Sequence, residues 1–354
     1  MTQIEALLGF LGEAVTPFHA VAAMSLRLQD AGFEEVQRFD PAAMTAGRGY
    51  YMTRQGSSLI AVRAGQGRLD AGLRLVGAHT DSPNLSVKPN PVKGRDGCVQ
   101  LGVDVYGGAL LNPWFDRDLA IAGRVTLLSA SGELCSTLFD SARPVAVVPS
   151  LAIHLDRDAN KQRSINPQKD VVPLVMLGDP QQFDFKEWLA ENLIAQDAQW
   201  QDARVMDHEL SLYDVQAPAV AGMDESWITS ARLDNLLSCF AGLSALIDAE
   251  DAEWSMLVAT DHEEVGSAST VGAQGPMLMD ALTALVPEPQ DNQQLRTDSW
   301  MLSVDNAHAV HPNYADKHDD QHSPRLGGGP VIKINRNQRC LLYTSPSPRD
   351  VRSS

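Results

Sequence analysis

The residues best suited to chemistry are Thr260-Asp261-His262-Glu263-Glu264-Val265-Gly266-Ser267, which follow the apolar run Trp254-Ser255-Met256-Leu257-Val258-Ala259. Such a run is expected to form a buried strand, so its carboxyl end would deliver two adjacent glutamates into a polar cleft. A carboxylate there is costly without a cation or hydrogen-bond donors. A pair of them offers two roles, oxygens for a metal and a base for proton transfer. On its own such a pair is also what a solvated acidic turn looks like, so a metal site needs further ligands from elsewhere.

His79-Thr80-Asp81-Ser82-Pro83 is the second signal, at the end of the strand-like Leu73-Arg74-Leu75-Val76-Gly77-Ala78. An imidazole that binds metal through one nitrogen usually donates its other N–H to a carboxylate or carbonyl. In extended backbone Asp81 would share a face with His79. A third strand-like run, Ser299-Trp300-Met301-Leu302-Ser303-Val304, ends in Asp305, with His308 and His311 beyond. Asp234 and Asn235 open a helix patterned by Leu236, Leu237, Phe240, Leu243, Leu246 and Ile247, where capping of orphan N–H groups is the default role. Open α/β sheets bind ligands at the carboxyl ends of their strands. One imidazole with three or four carboxylates suits two divalent metals about 3.5–4 Å apart, one carboxylate bridging.

The elements that must position these groups follow from hydrophobic period. Ile4, Leu7, Leu8 and Leu11 mark a helix, and a second runs from about His19 to Ala31 after Thr16-Pro17. Strands are expected at Ser58-Leu59-Ile60-Ala61-Val62 and at the run before His79, with a glycine-rich turn between them. Pro89, Pro91 and Gly94 suggest a break. After it come β-like runs at Val99 to Val105, Ala120 to Leu128 and Val145 to Val148, then a helix around Phe185 to Ala195. Leu151-Ala152-Ile153-His154-Leu155-Asp156-Arg157 suggests an apolar strand with His154 as a satisfied core residue. The expected class is α/β: a mixed sheet flanked by helices, from 1–90 and 227–339, interrupted by a mainly β insert at 91–226.

Composition excludes several functions. The 354 residues are 44% hydrophobic and 21% charged, ordinary for a folded chain with a sizeable core. A formal net charge of -17 argues against nucleic-acid or anionic-membrane partners, which require a basic face. Cys98, Cys135, Cys239 and Cys340 have no CxxC spacing, so neither a thiolate zinc site nor a disulfide framework is indicated, and a reducing cytoplasm fits. The amino terminus lacks a basic flank, and nothing approaches the length of a membrane span. Gly327-Gly328-Gly329-Pro330 lacks the Lys-Ser/Thr ending of a phosphate loop and suggests a tight turn.

Four stretches then acquire meaning together: Gly77-Ala78-His79-Thr80-Asp81-Ser82-Pro83, Trp114-Phe115-Asp116-Arg117-Asp118-Leu119, Asp261-His262-Glu263-Glu264-Val265-Gly266-Ser267 and Asp305-Asn306-Ala307-His308-Ala309-Val310-His311-Pro312-Asn313. In this order and spacing the chain resembles the aspartyl aminopeptidase family, cytosolic dinuclear zinc exopeptidases, from near Pro17 to Arg339. The resemblance implies a zinc-exopeptidase-like fold with an inserted oligomerisation domain, dimers and higher assembly, usually a dodecamer. It implies that His79, Asp305, Asp234 and Glu264 divide between two zinc ions with Asp234 bridging; manganese or cobalt can share such ligands. Asp81 would orient His79, and Glu263 would be the general base toward metal-activated water. His154 becomes a site residue, either a metal ligand or a substrate-facing imidazole lent to a neighbouring subunit. His308, His311, Lys317 and His318 would line the cleft.

The implied activity is removal of the amino-terminal residue of peptides, with Asp or Glu preferred and a neutral-residue aminopeptidase as the near alternative. An acidic substrate needs a cation, for which Arg232 and Lys317 are candidates. The chain departs from the family at its end, where a late zinc-ligand histidine is expected. After Cys340 it is Pro/Ser-rich and without period, so 340–354 is expected to be a disordered, non-native tail. That departure supports a competing expectation, an inactive or truncated homologue that acts only in assembly.

Overall fold

Thr2 begins the first helix with a capping box: its Oγ1 accepts the Glu5 N–H at 3.2 Å, and its own N–H donates to Glu5 Oε2 at 2.7 Å. The structure, a computed structural model, describes residues 2–333; 334–339 and the expected tail at 340–354 lie outside the described residues. In order the elements are α1 (Gln3–Glu13), α2 (Pro17–Asp30), β1 (Glu34–Glu35), β2 (Gly49–Arg54), β3 (Ser58–Arg63), β4 (Arg74–His79), β5 (Asn84–Arg95), β6 (Cys98–Tyr106), β7 (Leu119–Leu128), β8 (Leu134–Asp140) and β9 (Leu174–Leu177). Then come α3 (Phe185–Gln196), β10 (Arg204–Asp214), β11 (Ala219–Ala221), β12 (Trp227–Thr229), α4 (Leu233–Ile247), β13 (Ser255–Thr260), α5 (Met277–Leu285), α6 (Pro289–Asp298) and β14 (Trp300–Ser303). None of the described helices is long and apolar enough to cross a membrane.

The chain forms two compact units. One comprises the described chain up to Arg27, Gln55–Ser58 and Thr80–Arg232; the other comprises Leu28–Arg54, Leu59–His79 and the described chain from Leu233 onward. In the first, an antiparallel sheet has the order β8-β7-β10-β5-β6-β9. Its inner face, with Leu85, Leu101, Ile121 and Val125, shares a core with Phe185, Leu189 and Leu193 of α3. Those three recur at every fourth position and so form one helix face. Asp184 starts α3 by accepting the N–H groups of Lys186 and Glu187 at 2.8 and 3.2 Å.

Three expectations are corrected in this unit. Pro89, Pro91 and Gly94 do not break the chain: β5 runs through them, and its register against β6 shifts between Val87 and Val92. At such an irregularity a proline forfeits no ladder hydrogen bond. Residues 145 to 148 make only isolated bridges, Leu119 with Ala146, Val147 with Leu174 and Phe115 with Val148, because the partner changes at each step. Residues 151 to 157 are not a strand and His154 is not in the core: the Leu155 and Asp156 N–H groups both bond back to Ala152 O, a turn. Leu151 and Leu155 are 57% and 75% exposed there.

The second unit contains a mixed sheet of order β1-β2-β3-β13-β4-β14. β13 and β14 both run parallel to β4, and β13 runs antiparallel to β3. β4 and β13 are buried over most of their length, which explains the apolar residues at 75–78 and 256–259. Ile60, Val62, Leu75, Met256 and Val258 pack with Met277, Ala281 and Leu285 of α5. α4 lies against the central strands through Gly242, where an added Cβ would come within 2.8 Å of Leu257 Cδ1 and 3.0 Å of Val76 Cγ1. Helix flanking a mixed sheet is the α/β architecture that the periodicities indicate.

Candidate active site

Register determines which residues meet. His79 ends β4 opposite Thr260 of β13, and Ser303 of β14 lies opposite Gly77. The Val304 N–H continues the pairing to Gly77 O at 2.8 Å. Asp305 and the segment from Asp261 to Glu264 therefore emerge at the same carboxyl edge as His79. This parallel arrangement converts three distant strand endings into one cluster.

At that edge His79 Nε2 lies 3.3 Å from Asp234 Oδ1 and 3.9 Å from Glu263 Oε2. His79 is buried, whereas Asp234 is 52% exposed, so the imidazole is fixed and the carboxylate opens to solvent. Asp234 precedes the regular part of α4: it and Asn235 have non-helical angles, and the peptide bond between them is cis. The Asn235 amide donates to Val304 O at 2.9 Å, tying the helix entry to the end of β14. That bond is how Asp234 is brought beside Asp305.

Ligand atoms of His79, Asp234 and Asp305 all lie within 4.8 Å of one another. The hydrogen bond from His79 holds the Asp234 carboxyl below its ordinary range against the opposing effect of burial; the charge of His79, the Asp305 hydrogen bond and Lys333 act in the same direction. Lys333 places its ammonium 3.2 Å from Asp305 Oδ2 and also donates to Asn306 O. Two carboxylates that draw in a cation, beside an imidazole nitrogen, form the mixed N/O donor set that zinc takes. The residues present therefore fit a zinc ion.

Glu263 and Glu264 lie in a short 3-10 turn directly after β13. His262 precedes them in left-handed backbone, φ 64°, stabilised by its N–H to Asp261 Oδ1 at 2.7 Å and its Nδ1 to Ser269 Oγ at 2.7 Å. The sharp reversal turns the glutamates out of the strand direction. Glu263 stands near His79, while Glu264 is outside the three-residue cluster. Asp81, two residues beyond His79, is fully buried and accepts a hydrogen bond from Tyr106 Oη at 2.7 Å.

Other candidates are placed elsewhere. His154 is exposed and is not part of the cluster. Arg232 directs its guanidinium to the last carbonyls of α1, Ala14 O at 3.1 Å and Leu11 O at 3.3 Å, and lies over the Tyr213 ring. Lys317 is 75% exposed and nearest to Asp316. His311 and His318 accept backbone N–H groups of Asn313 and His311 within an exposed loop, and His308 is exposed as well. Sequence reasoning missed Tyr106 and Lys333, and took Asn235 only as a helix cap, not as the tie to Val304 O. Tyr106 ends a strand whose partner is Asn84, a proximity to Asp81 that only sheet register reveals.

The chain is also similar to known proteins. The family described as aminopeptidase I zinc metalloprotease (M18) matches residues 10–351. The "probable M18 family aminopeptidase 2" of Ectopseudomonas mendocina (strain ymp) is 52% identical over 338 residues, covering 95% of this chain and 78% of that relative. Among solved structures, the cryo-EM structure of the Ape4 and Nbr1 complex superimposes with a TM-score of 0.88 at 31% identity, covering 95% of this chain and 69% of that one. The S. cerevesiae mApe1 dodecamer gives 0.75 at 25% identity, covering 91% and 75%. With the family match spanning nearly its whole length and half its residues shared with an M18 aminopeptidase, the chain belongs to the aminopeptidase I (M18) family of zinc metalloproteases and is a metalloaminopeptidase.

Proposed function

We propose that this metalloaminopeptidase removes amino-terminal Asp or Glu from peptides, with Glu263 as the base that moves the proton. The observation that carries this is the meeting of His79, Asp234 and Asp305 within 4.8 Å, with Glu263 3.9 Å from the same imidazole nitrogen. His79, Asp305, Asp234 and Glu264 would divide between two zinc ions, Asp234 shared. A bound zinc supplies Lewis acidity and lowers the pKa of water toward ~7. Glu263 accepts the proton from water as it attacks the peptide carbonyl and returns it to the leaving amine. Asp81, held by Tyr106, keeps the His79 ring in the tautomer that leaves Nε2 for metal.

Preference for acidic residues rests on the motif resemblance. Arg232 is engaged with the α1 carbonyls, so Lys317 is the favoured cation for the substrate carboxylate. Homo-oligomerisation is supported by the dodecamer to which the fold is similar and by exposed Leu151, Ile153 and Leu155. His154 lies among those residues and would face substrate in a neighbouring subunit. Cytoplasmic residence is supported by the lack of disulfides among the described cysteines.

The test is metal analysis by mass spectrometry with hydrolysis of amino-terminal Asp, Glu and Leu chromogenic amides on one preparation, sized in the same run. Bound zinc with Asp and Glu turned over faster than Leu is expected. Faster Leu hydrolysis would overturn the acidic preference. A large particle with neither zinc nor turnover would instead identify an assembly protein.

A further inference from the structure

We infer that Tyr106 is a positioning residue for the metal site, acting through Asp81 on His79. The inference rests on the proposed function in one respect, that Asp81 orients the His79 ring. Asp81 is fully buried, and a buried carboxylate persists only where hydrogen bonds replace water. The Tyr106 hydroxyl donates to Asp81 Oδ2 at 2.7 Å, the usual O–H···O distance.

The backbone makes this contact specific. Tyr106 is the last residue of β6 and lies opposite Asn84, the first of β5, so the returning strand brings the phenol back to the segment that leaves His79. That segment is held on its other flank as well. Thr80 Oγ1 donates to Ser57 O at 2.8 Å, the Asn84 amide donates to Ser82 O at 3.0 Å, and Ser86 Oγ donates to Asn84 Oδ1 at 2.9 Å. With the Thr80 and Asn84 side chains tied to backbone carbonyls before and after Asp81, the phenol fixes one oxygen of the Asp81 carboxylate.

A neutral donor suits this purpose. Tyr106 orients the carboxylate as a neutral donor, so no cation competes with His79 for Asp81. An arginine or lysine in its place would form an ion pair with Asp81 and so compete with His79. The phenol ring also remains partly exposed, so replacing Tyr by Phe removes one hydrogen bond and leaves the ring's packing in place.

The experiment is a double-mutant cycle of Tyr106→Phe and Asp81→Asn in the full chain, read by zinc affinity in competition with a chromophoric chelator. Melting temperature of the zinc-free proteins and kcat and KM of the zinc-loaded ones are measured alongside. Asp81→Asn is expected to weaken zinc binding about 10- to 100-fold and Tyr106→Phe about 10-fold, with the double variant no weaker than Asp81→Asn. Tyr106→Phe should lower kcat with KM little changed. A Tyr106→Phe chain that binds zinc as tightly as the wild type, while Asp81→Asn does not, would overturn the role of Tyr106 and leave that of Asp81 standing. Wild-type zinc affinity in both single variants would remove Asp81 from the site and the inference with it. A fall in melting temperature without a change in zinc affinity would show Tyr106 to be structural only.

Discussion

His79 Nε2 and Asp234 Oδ1 lie 3.3 Å apart, although one ends a central strand and the other precedes a helix far along the chain. A buried imidazole facing a half-exposed carboxylate offers a donor pair with one wall fixed and one side open to solvent. Asp234→Asn is expected to lose most of its zinc, because the amide keeps the shape and removes the shared charge. Metal content by mass spectrometry checks this, and full retention of zinc would exclude Asp234 as a ligand.

Glu263 is near the cluster but outside the group of three whose atoms converge. Glu263→Gln should therefore retain zinc and lower turnover by about 10²–10⁴-fold, the usual contribution of a positioned base. Loss of zinc together with activity would make Glu263 a ligand instead.

His208, in β10, is buried with neither ring nitrogen hydrogen-bonded, and its ring meets Phe185 edge-on at 5.3 Å. Burial pushes its pKa below the ordinary value; Asp207 opposes this and Lys186 adds to it. The unfolded chain thus binds the proton more readily than the folded one. Stability contributed by this residue is complete above the unfolded pKa, about 6.5, and declines as pH falls below it, by at most about 1.4 kcal/mol per pH unit. His208→Phe should remove that part of the acid sensitivity. Urea unfolding at pH 8 and pH 5.5 measures it, and equal losses in variant and wild type would refute it.

Arg232 binds the end of α1 through Ala14 O and Leu11 O. Arg232→Ala should cost about 1.5–3 kcal/mol, the range for hydrogen bonds from a charged donor, and leave the ratio of Asp to Leu amide hydrolysis unchanged. Thermal unfolding and kcat/KM for the two amides give the answer. A selective loss of Asp hydrolysis would return Arg232 to substrate recognition.

Local chemistry made much of this legible from residues alone. Unbroken apolar runs before His79 and before Glu263 marked central strands, since only strands buried on both faces can omit polar positions. Polar residues capable of metal binding at three strand ends pointed to one edge of one sheet. His154 and the run from 145 to 148 were misjudged because apolar content does not reveal whether a strand has a neighbour to bond with. The prolines of β5 were misjudged because a register shift absorbs them.

The amino-acid sequence by itself marked β3, β4, β13 and β14, the helix faces and the donor types at the site. Only the tertiary structure decided which donors meet. The parallel register of β4, β13 and β14, and the Asn235 bond to Val304 O, brought His79, Asp234 and Asp305 together. Tyr106 came beside Asp81 in the same way, through the β5–β6 pairing. Distances between residues far apart in sequence are set by sheet pairing, a property of several segments at once, and no single stretch of the chain encodes them.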